Sequence, residues 1–271
     1  APVFAATGAV AGVMVQGGDG MRREHRARLV IAADGRESRL ARVAGLSRHP
    51  RRQRRWAIGG YFEGAERTAT SGEMHVRHGH YIGVAPVPGE LTNACLVVPH
   101  QAGDGGWRDA AARLTGAIEG DPSLAPRFAR ARLVEPVHVL GPMAVDASAP
   151  GVPGMLLAGD AAGFIDPMTG DGLRFAVLGA VLAAAAALDV LAGRLDQTAA
   201  LAQLSKERQR TFAAKWRFNR AVRALVASPR AVGAAAMAAR VFPSAFAAVV
   251  RYAGDCGVEV LPEARPVMLH T

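Results

Sequence analysis

The chain has 271 residues, half of them hydrophobic, which supports one large core or two interlocked ones and excludes the fibrous and disordered classes. Its 31 glycines and 16 prolines follow no period, so collagen-like and solenoid repeats are excluded as well. A net charge of +9, carried mostly by arginine, favours polyanions or an anionic membrane surface at low salt, unless it reflects only a GC-rich coding sequence.

The chain opens on Ala-Pro-Val-Phe, with neither an initiating methionine nor a basic leader, and so reads as cut from a longer polypeptide. Residues 8–33 predict a hairpin turning at Gly17-Gly18-Asp19-Gly20, then a buried strand through Arg28 to Ala33. Asp34-Gly35 ends that strand, and Ser38 begins or caps a short helical stretch running to about Gly45. Five arginines between Arg48 and Arg55 read as a solvated loop before an apolar strand at Ala57–Phe62. Glu73–Val76, Tyr81–Val87 and Leu91–Val98 read as three strands separated by turns at His78-Gly79 and Pro88-Gly89, which predicts an antiparallel meander. Residues 107–130 carry helical spacing, Leu133–Leu140 reads as one strand, and Met155–Ala158 as a buried parallel strand feeding a helix. The run Leu173–Gly193 is long enough to span a bilayer, but Arg174, Asp189 and its alanines point to a buried core helix. Beyond Thr198 the pattern is helical, broken at Pro229, Pro243 and Pro262, with arginines between Lys206 and Arg223 interleaved by Phe212, Trp216 and Phe218. Cys95 and Cys256 stand far apart without metal-ligand spacing, so a reducing compartment is the default and no zinc site is expected.

Chemistry concentrates at "GMLLAGDAAGFIDPMTGDGLRFAV", residues 154–177. A parallel strand ending at Ala158 delivers Gly159-Asp160 to the carboxyl edge of its sheet, where open α/β folds bind ligands. Asp160 can accept hydrogen bonds from a hydroxylated ligand, and Gly159 lets backbone approach it without a Cβ. Pro167 stiffens the loop, and Gly170-Asp171-Gly172 opens a long helix whose first N–H groups favour negative charge by ~0.3–2 kcal/mol. A reduced flavin carries such charge, which makes a ribityl chain and flavin ring candidate occupants. A calcium loop does not fit, because Met168 and Gly170 stand where oxygen ligands are needed.

The stretch "GDAAGFIDPMTGDGL" resembles the second flavin-contact motif of the FAD-dependent para-hydroxybenzoate hydroxylase-like flavoproteins, G-D-A-A followed by P-x-x-G-x-G. Gly159, Asp160, Ala161, Ala162, Pro167, Gly170 and Gly172 match it. "LVIAADGRESRLARVAGL" is similar to that superfamily's other internal motif, with Asp34, Gly35 and Ser38 in place; the arginine often found three residues after the serine is Ala41 here, beside Arg39 and Arg42. The resemblance implies that Asp160 meets the ribityl chain, that Pro167 lies by the isoalloxazine, and that Gly170, Asp171, Gly172 and Leu173 line its pyrimidine end. It also implies that Asp34 and Gly35 serve both FAD and the approach of NAD(P)H. The superfamily's N-terminal G-x-G-x-x-G does not occur in this sequence, which implies that a βαβ unit of ~30 or more residues lies outside it.

The expected fold is thus α/β (α+β): an incomplete FAD-binding Rossmann-type domain with an inserted antiparallel β-sheet substrate domain and C-terminal helices. The expected divisions are 1–48 and 141–193 for the FAD-binding parts, 49–140 for the substrate domain and 194–271 for the helical region. "AAGFIDPMTGDG" looks like the geranylgeranyl reductase branch. Flavin halogenases share its G-F-x-D-P stretch, but their W-x-W-x-I-P signature is absent from this sequence. The implied activity is an FAD-dependent oxidoreductase, reduced by NAD(P)H and acting as reductase or monooxygenase on a small apolar organic substrate, isoprenoid, polyketide-like or aromatic. The expected setting is the cytoplasm, with peripheral contact at the inner face of the membrane and no nucleic-acid partner. No acid or base is singled out, although Tyr81, His75, His78 and His80 fall on the substrate sheet. Two other readings stay open: a basic protein that binds polyanions or membrane surfaces, and an inactive gene fragment.

Overall fold

The computed structural model describes residues 1–48, 55–66, 71–99, 109–134, 136–165 and 167–254. Strands β1 (Pro2–Phe4), β2 (Val10–Gln16) and β3 (Arg22–Arg26) form an antiparallel sheet in that order. The expected hairpin is β2–β3, its turn fixed by Asp19, whose Oδ1 accepts the Met21 N–H at 2.9 Å. β4 (Val30–Ala32) follows and ends at Asp34-Gly35. Gly35 adopts φ +81°, a left-handed conformation that glycine reaches without steric cost. The Ser38 hydroxyl then accepts the Ala41 N–H at 2.8 Å and caps α1 (Arg39–Val43), as the sequence predicts. β5 (Ser47–Arg48) comes next.

Residues 49–54 of the arginine run lie outside the described residues. Arg55, read with that run as solvated, is instead buried at the start of β6 (Arg55–Glu63). Its guanidinium donates to the Arg223 carbonyl at 3.4 Å. The meander forms as predicted from β7 (Glu73–Val76), β8 (Tyr81–Val87) and β9 (Leu91–Pro99), and β6 pairs along the outer edge of β9. In place of one strand over Leu133–Leu140 there are two, β10 (Arg132–Leu133) and β11 (His138–Leu140), both antiparallel to β6. The cause is a mismatch of advance: between Leu133↔Phe62 and His138↔Gly59 the chain moves five residues against three on β6, so the excess leaves the ladder.

Helical spacing over 107–130 resolves into α2 (Ala110–Glu119) and α3 (Ala125–Phe128), broken around Asp121 and Pro122. Asp121 accepts the Ser123 N–H at 2.8 Å and pairs with Arg77 at 2.7 Å. Burial works against its charge, but Arg77 and the backbone donors outweigh that and hold its carboxyl below the usual range. The two-residue period of the strands sorts the core. Ile58, Phe62, Ile82 and Leu96 face α2 and α3, meeting Leu114, Ile118, Leu124 and Phe128. Ala57, Tyr81 and Val97 face the other way, toward Met143 and Val226, with Phe164 and Met168 packed against them.

The chain then returns through β12 (Asp146–Ala147), which pairs with β5, and the hairpin of β13 (Gly151–Val152) and β14 (Met155–Leu157). β14 is parallel to β4, with Met155↔Val30, Leu156↔Ile31 and Leu157↔Ala32 in register. After the loop come α4 (Gly172–Leu191), α5 (Gln197–Val226), α6 (Pro229–Val241) and α7 (Pro243–Gly254). Pro229 and Pro243 each open a helix, where the missing N–H costs nothing; Pro262 lies outside the described residues.

The expectation of a buried core helix at Leu173–Gly193 is corrected. α4 packs Ala183, Ala186 and Ala187 against Leu156 and the Leu204 turn of α5, but Leu173 (82%), Val177 (55%) and Val181 (50%) are exposed. With only Arg174 and Asp189 charged along its length, α4 has no continuous polar face to mark which side the core takes.

Candidate functional site

The register of β4 with β14 creates the site. The Ala158 N–H donates to the Ala32 carbonyl at 2.9 Å, so both chains leave the sheet side by side, one as Ala33-Asp34-Gly35 and the other as Gly159-Asp160. Two segments far apart in sequence are thereby set at one carboxyl edge, next to the start of α4. A cavity of about 460 Å³ opens there. Five of the residues singled out from sequence line it: Gly35, Gly159, Asp160, Gly172 and Leu173. Ala33, Ala158, Ala176 and Ala180 complete the wall. The last two sit one and two turns beyond Gly172; only a helical projection of α4 from its start could have indicated them.

The remaining residues fall around the cavity. Asp34 is exposed, and its carboxylate accepts the Leu40 N–H at 3.3 Å, so its side chain serves α1. Ala161 is buried in the 3₁₀ turn Gly159–Ala162. Pro167 begins a second 3₁₀ turn closed by the Gly170 N–H on the Pro167 carbonyl at 3.0 Å, and Gly170 takes φ +70°. Neither of these two lines the cavity; Asp166 lies outside the described residues. Asp171 precedes α4 but makes no side-chain cap bond. Its buried carboxylate instead receives Asn219 Nδ2 at 3.0 Å and pairs with Lys215 Nζ at 3.3 Å. The ordinary helix-cap role is therefore excluded, and this carboxylate joins the loop to α5.

Asp160 is the polar group on the cavity wall. Among the described residues no hydrogen bond reaches its carboxylate. Burial pushes its pKa up, and the Arg36 guanidinium pulls the other way without overcoming the shift. Arg36 is itself held by the Pro142 carbonyl at 3.0 Å. A half-buried carboxylate with unused acceptor capacity is suited to a ligand that donates hydroxyl hydrogen bonds. Since its folded-state pKa is raised, the ionised form destabilises the ligand-free protein, a penalty that fades as pH falls through the raised value toward the ordinary one. Asp160→Asn is accordingly expected to raise the urea midpoint at neutral pH, with the gain disappearing in acid. A variant less stable than wild type at neutral pH would contradict this.

Sequence reasoning missed the supports from α5. Arg208 donates to the Ala162 carbonyl at 3.0 Å from a partly buried position, where desolvation lowers its pKa. Lys215 and Asn219, four residues apart, share one helical face beneath the loop. Phe212 meets Phe175 of α4 edge-on at 5.2 Å and lies 5.5 Å from Trp216. On the antiparallel sheet, Tyr81 is core and His75 sits 3.0 Å from Glu73, which Arg127 grips with its two terminal nitrogens at 2.8 and 2.9 Å. Tyr81, His75, His78 and His80 do not line the cavity.

A parallel strand pair joined by a glycine-aspartate loop to a long helix, with an antiparallel sheet inserted between the two motifs, is a Rossmann-type flavoprotein arrangement. The chain belongs to the FAD binding domain family, whose model matches residues 4–219, among the para-hydroxybenzoate hydroxylase-like flavoproteins. Solved structures of the same fold include the flavin-dependent brominase Bmp2 (19% identical, TM-score 0.78, 94% of this chain and 64% of that one). Another is the myxobacterial chondrochloren halogenase CndH, a variant of FAD-dependent halogenases (22%, TM-score 0.73, 80% and 52%). A third is a geranylgeranyl bacteriochlorophyll reductase-like protein from Thermoplasma acidophilum (21%, TM-score 0.70, 94% and 68%). The chain thus spans about half to two thirds of the length of these proteins. No curated protein matches it in sequence.

Proposed function

We propose that this chain forms part of an FAD-dependent oxidoreductase in which NAD(P)H reduces the flavin and a small apolar organic molecule, isoprenoid, polyketide-like or aromatic, is then reduced or hydroxylated. The observation that carries the reading is the shared carboxyl edge of β4 and β14, which gathers Gly35, Gly159, Asp160 and the start of α4 around one cavity.

The residues present fit FAD. Gly159 takes φ +58°, which suits glycine, and a Cβ there would meet only the Ala176 methyl at 3.9 Å; nothing lies within 4 Å of one at Gly35. The glycines therefore keep the cavity floor at backbone height, where a flat ring or a polyol can approach. Asp160 would accept hydroxyl hydrogen bonds of the ribityl chain, and the first turn of α4 would favour negative charge on the ring. When bound, FAD supplies the electron-transfer chemistry that none of these side chains has.

Titration of the full chain with FAD, followed by flavin fluorescence, tests the reading. Saturable binding is expected, weakened roughly 10- to 100-fold in Asp160→Ala, the effect of losing hydrogen bonds to a charged acceptor. Bleaching of the bound flavin by NADH or NADPH under anaerobic conditions then checks the reductant. A chain that leaves FAD fluorescence unchanged at every concentration would refute the proposal.

A further inference from the structure

From Arg208 to Gly254 the sequence holds eight arginines and one lysine but no aspartate or glutamate. The part of this stretch within α5 is largely used up by the fold: Phe212, Lys215 and Asn219 are buried, Arg208 bonds Ala162, and Arg220 pairs with Asp146 at 3.5 Å. The part in α6 and α7 is not. Neither helix has a buried residue, and they meet at a bend of 119° beside Pro243.

Large apolar side chains gather around that bend. Met237 and Val241 end α6, Phe242 (63% exposed) occupies the corner, and Phe246, Val249 and Val250 continue along α7 at helical spacing. Arg240 and Arg251 adjoin this surface and Arg230 lies in the first turn of α6, all three exposed and without an acidic partner among the described residues. An exposed contiguous apolar surface bordered by unpaired cations is the pattern of a segment lying in a bilayer interface, with apolar groups among acyl chains and guanidinium groups raised to the phosphates.

We propose that the α6–α7 corner docks on an anionic lipid surface, with Phe242 and Phe246 inserted and Arg240 and Arg251 on the headgroups. Charge decides among occupants. A second copy of this chain, meeting the corner symmetrically, would set the arginines of α6 and α7 against their counterparts, with no acidic residue in either helix to pair them. Nucleic acid would satisfy the arginines and leave the phenylalanines in water. Anionic lipid satisfies both. The far end of α7 is also fixed to the body of the protein, because Lys215 Nζ donates to the carbonyls of Tyr252 at 2.5 Å and Ala253 at 3.0 Å, and the Tyr252 ring packs edge-on against Phe218 at 4.9 Å. The inference does not depend on the flavin reading.

Flotation of the full chain with vesicles of phosphatidylcholine alone, or mixed with phosphatidylglycerol, tests it. Wild type is expected to float with the mixed vesicles at low salt and weakly with the neutral ones. Phe242→Ser with Phe246→Ser should weaken that binding about tenfold or more. Arg240→Gln with Arg251→Gln should abolish the preference for anionic lipid and its salt dependence. All four side chains are exposed, so circular dichroism should match wild type, which separates lost docking from lost folding. Wild type that stays with the pellet, or a serine variant that floats equally well, would overturn the proposal. So would retention on duplex DNA, or concentration-dependent dimers that the serine variant abolishes, if either came without flotation.

Discussion

Lys215→Met should destabilise the protein by about 3–5 kcal/mol, because it removes one partner of a buried ion pair and leaves the other charge unmatched. Asp171 and Lys215 are 4% and 7% exposed, and the Lys215 ammonium also takes the last carbonyls of α7, so the substitution strands acceptors on two elements at once. In a domain of this size such a loss corresponds to roughly 10 °C in melting temperature. The companion experiment is Lys215→Met combined with Asp171→Asn, in which the remaining polar group is neutral and still faces Asn219. The double variant should recover part of the loss, since an unpaired carboxylate costs far more to bury than an amide. A single variant that melts within a degree or two of wild type would show that the pair contributes little.

Gly154→Ala should cost several kcal/mol and weaken FAD binding together with it. Gly154 takes φ +81°, and a Cβ there would stand 1.9 Å from the Val10 carbonyl oxygen and 2.8 Å from the Val10 nitrogen. Those are backbone atoms of β2, which cannot swing aside as a side chain would. The same turn accepts the Val10 N–H on Pro153 at 2.8 Å and the Val30 N–H on Gly154 at 2.9 Å, so it ties β2, β4 and the β13–β14 hairpin into one junction. Displacing β2 would disturb the β4–β14 register that aligns Gly35 with Gly159. Equal melting temperatures and equal flavin affinity for variant and wild type would rule this out.

Much of the fold was legible because its signals are local. The β7–β9 meander is marked by glycine-bearing turns at His78-Gly79 and Pro88-Gly89, and Ser38 caps α1 as its position before Arg39 suggests. The glycine-aspartate pairs were readable for the same reason: each follows a short apolar strand, and that context narrows what such a pair can do. What stayed hidden depends on tertiary neighbours. Nothing near Asp171 in sequence says that its carboxylate turns from its own helix to Lys215 and Asn219, and the i, i+4 spacing of those two residues is equally suited to a solvated face. Arg55 looked like its arginine neighbours until the Arg223 carbonyl met it. The exposed side of α4 was illegible because a helix uniformly rich in alanine, valine and leucine gives no period from which to orient it.

The parallel pairing of β4 with β14 also bears on how the protein acquires its site. Residues 34 and 160 reach one another only after the chain has travelled through the whole antiparallel sheet and returned, a long-range closure whose entropy must be met before the contact rewards it. A chain emerging from the ribosome can therefore complete its meander early, from neighbouring hairpins, while the cavity has only one of its two strand walls. Closure of the cavity is therefore expected late in assembly, so that a flavin added during refolding would report completion of the topology itself.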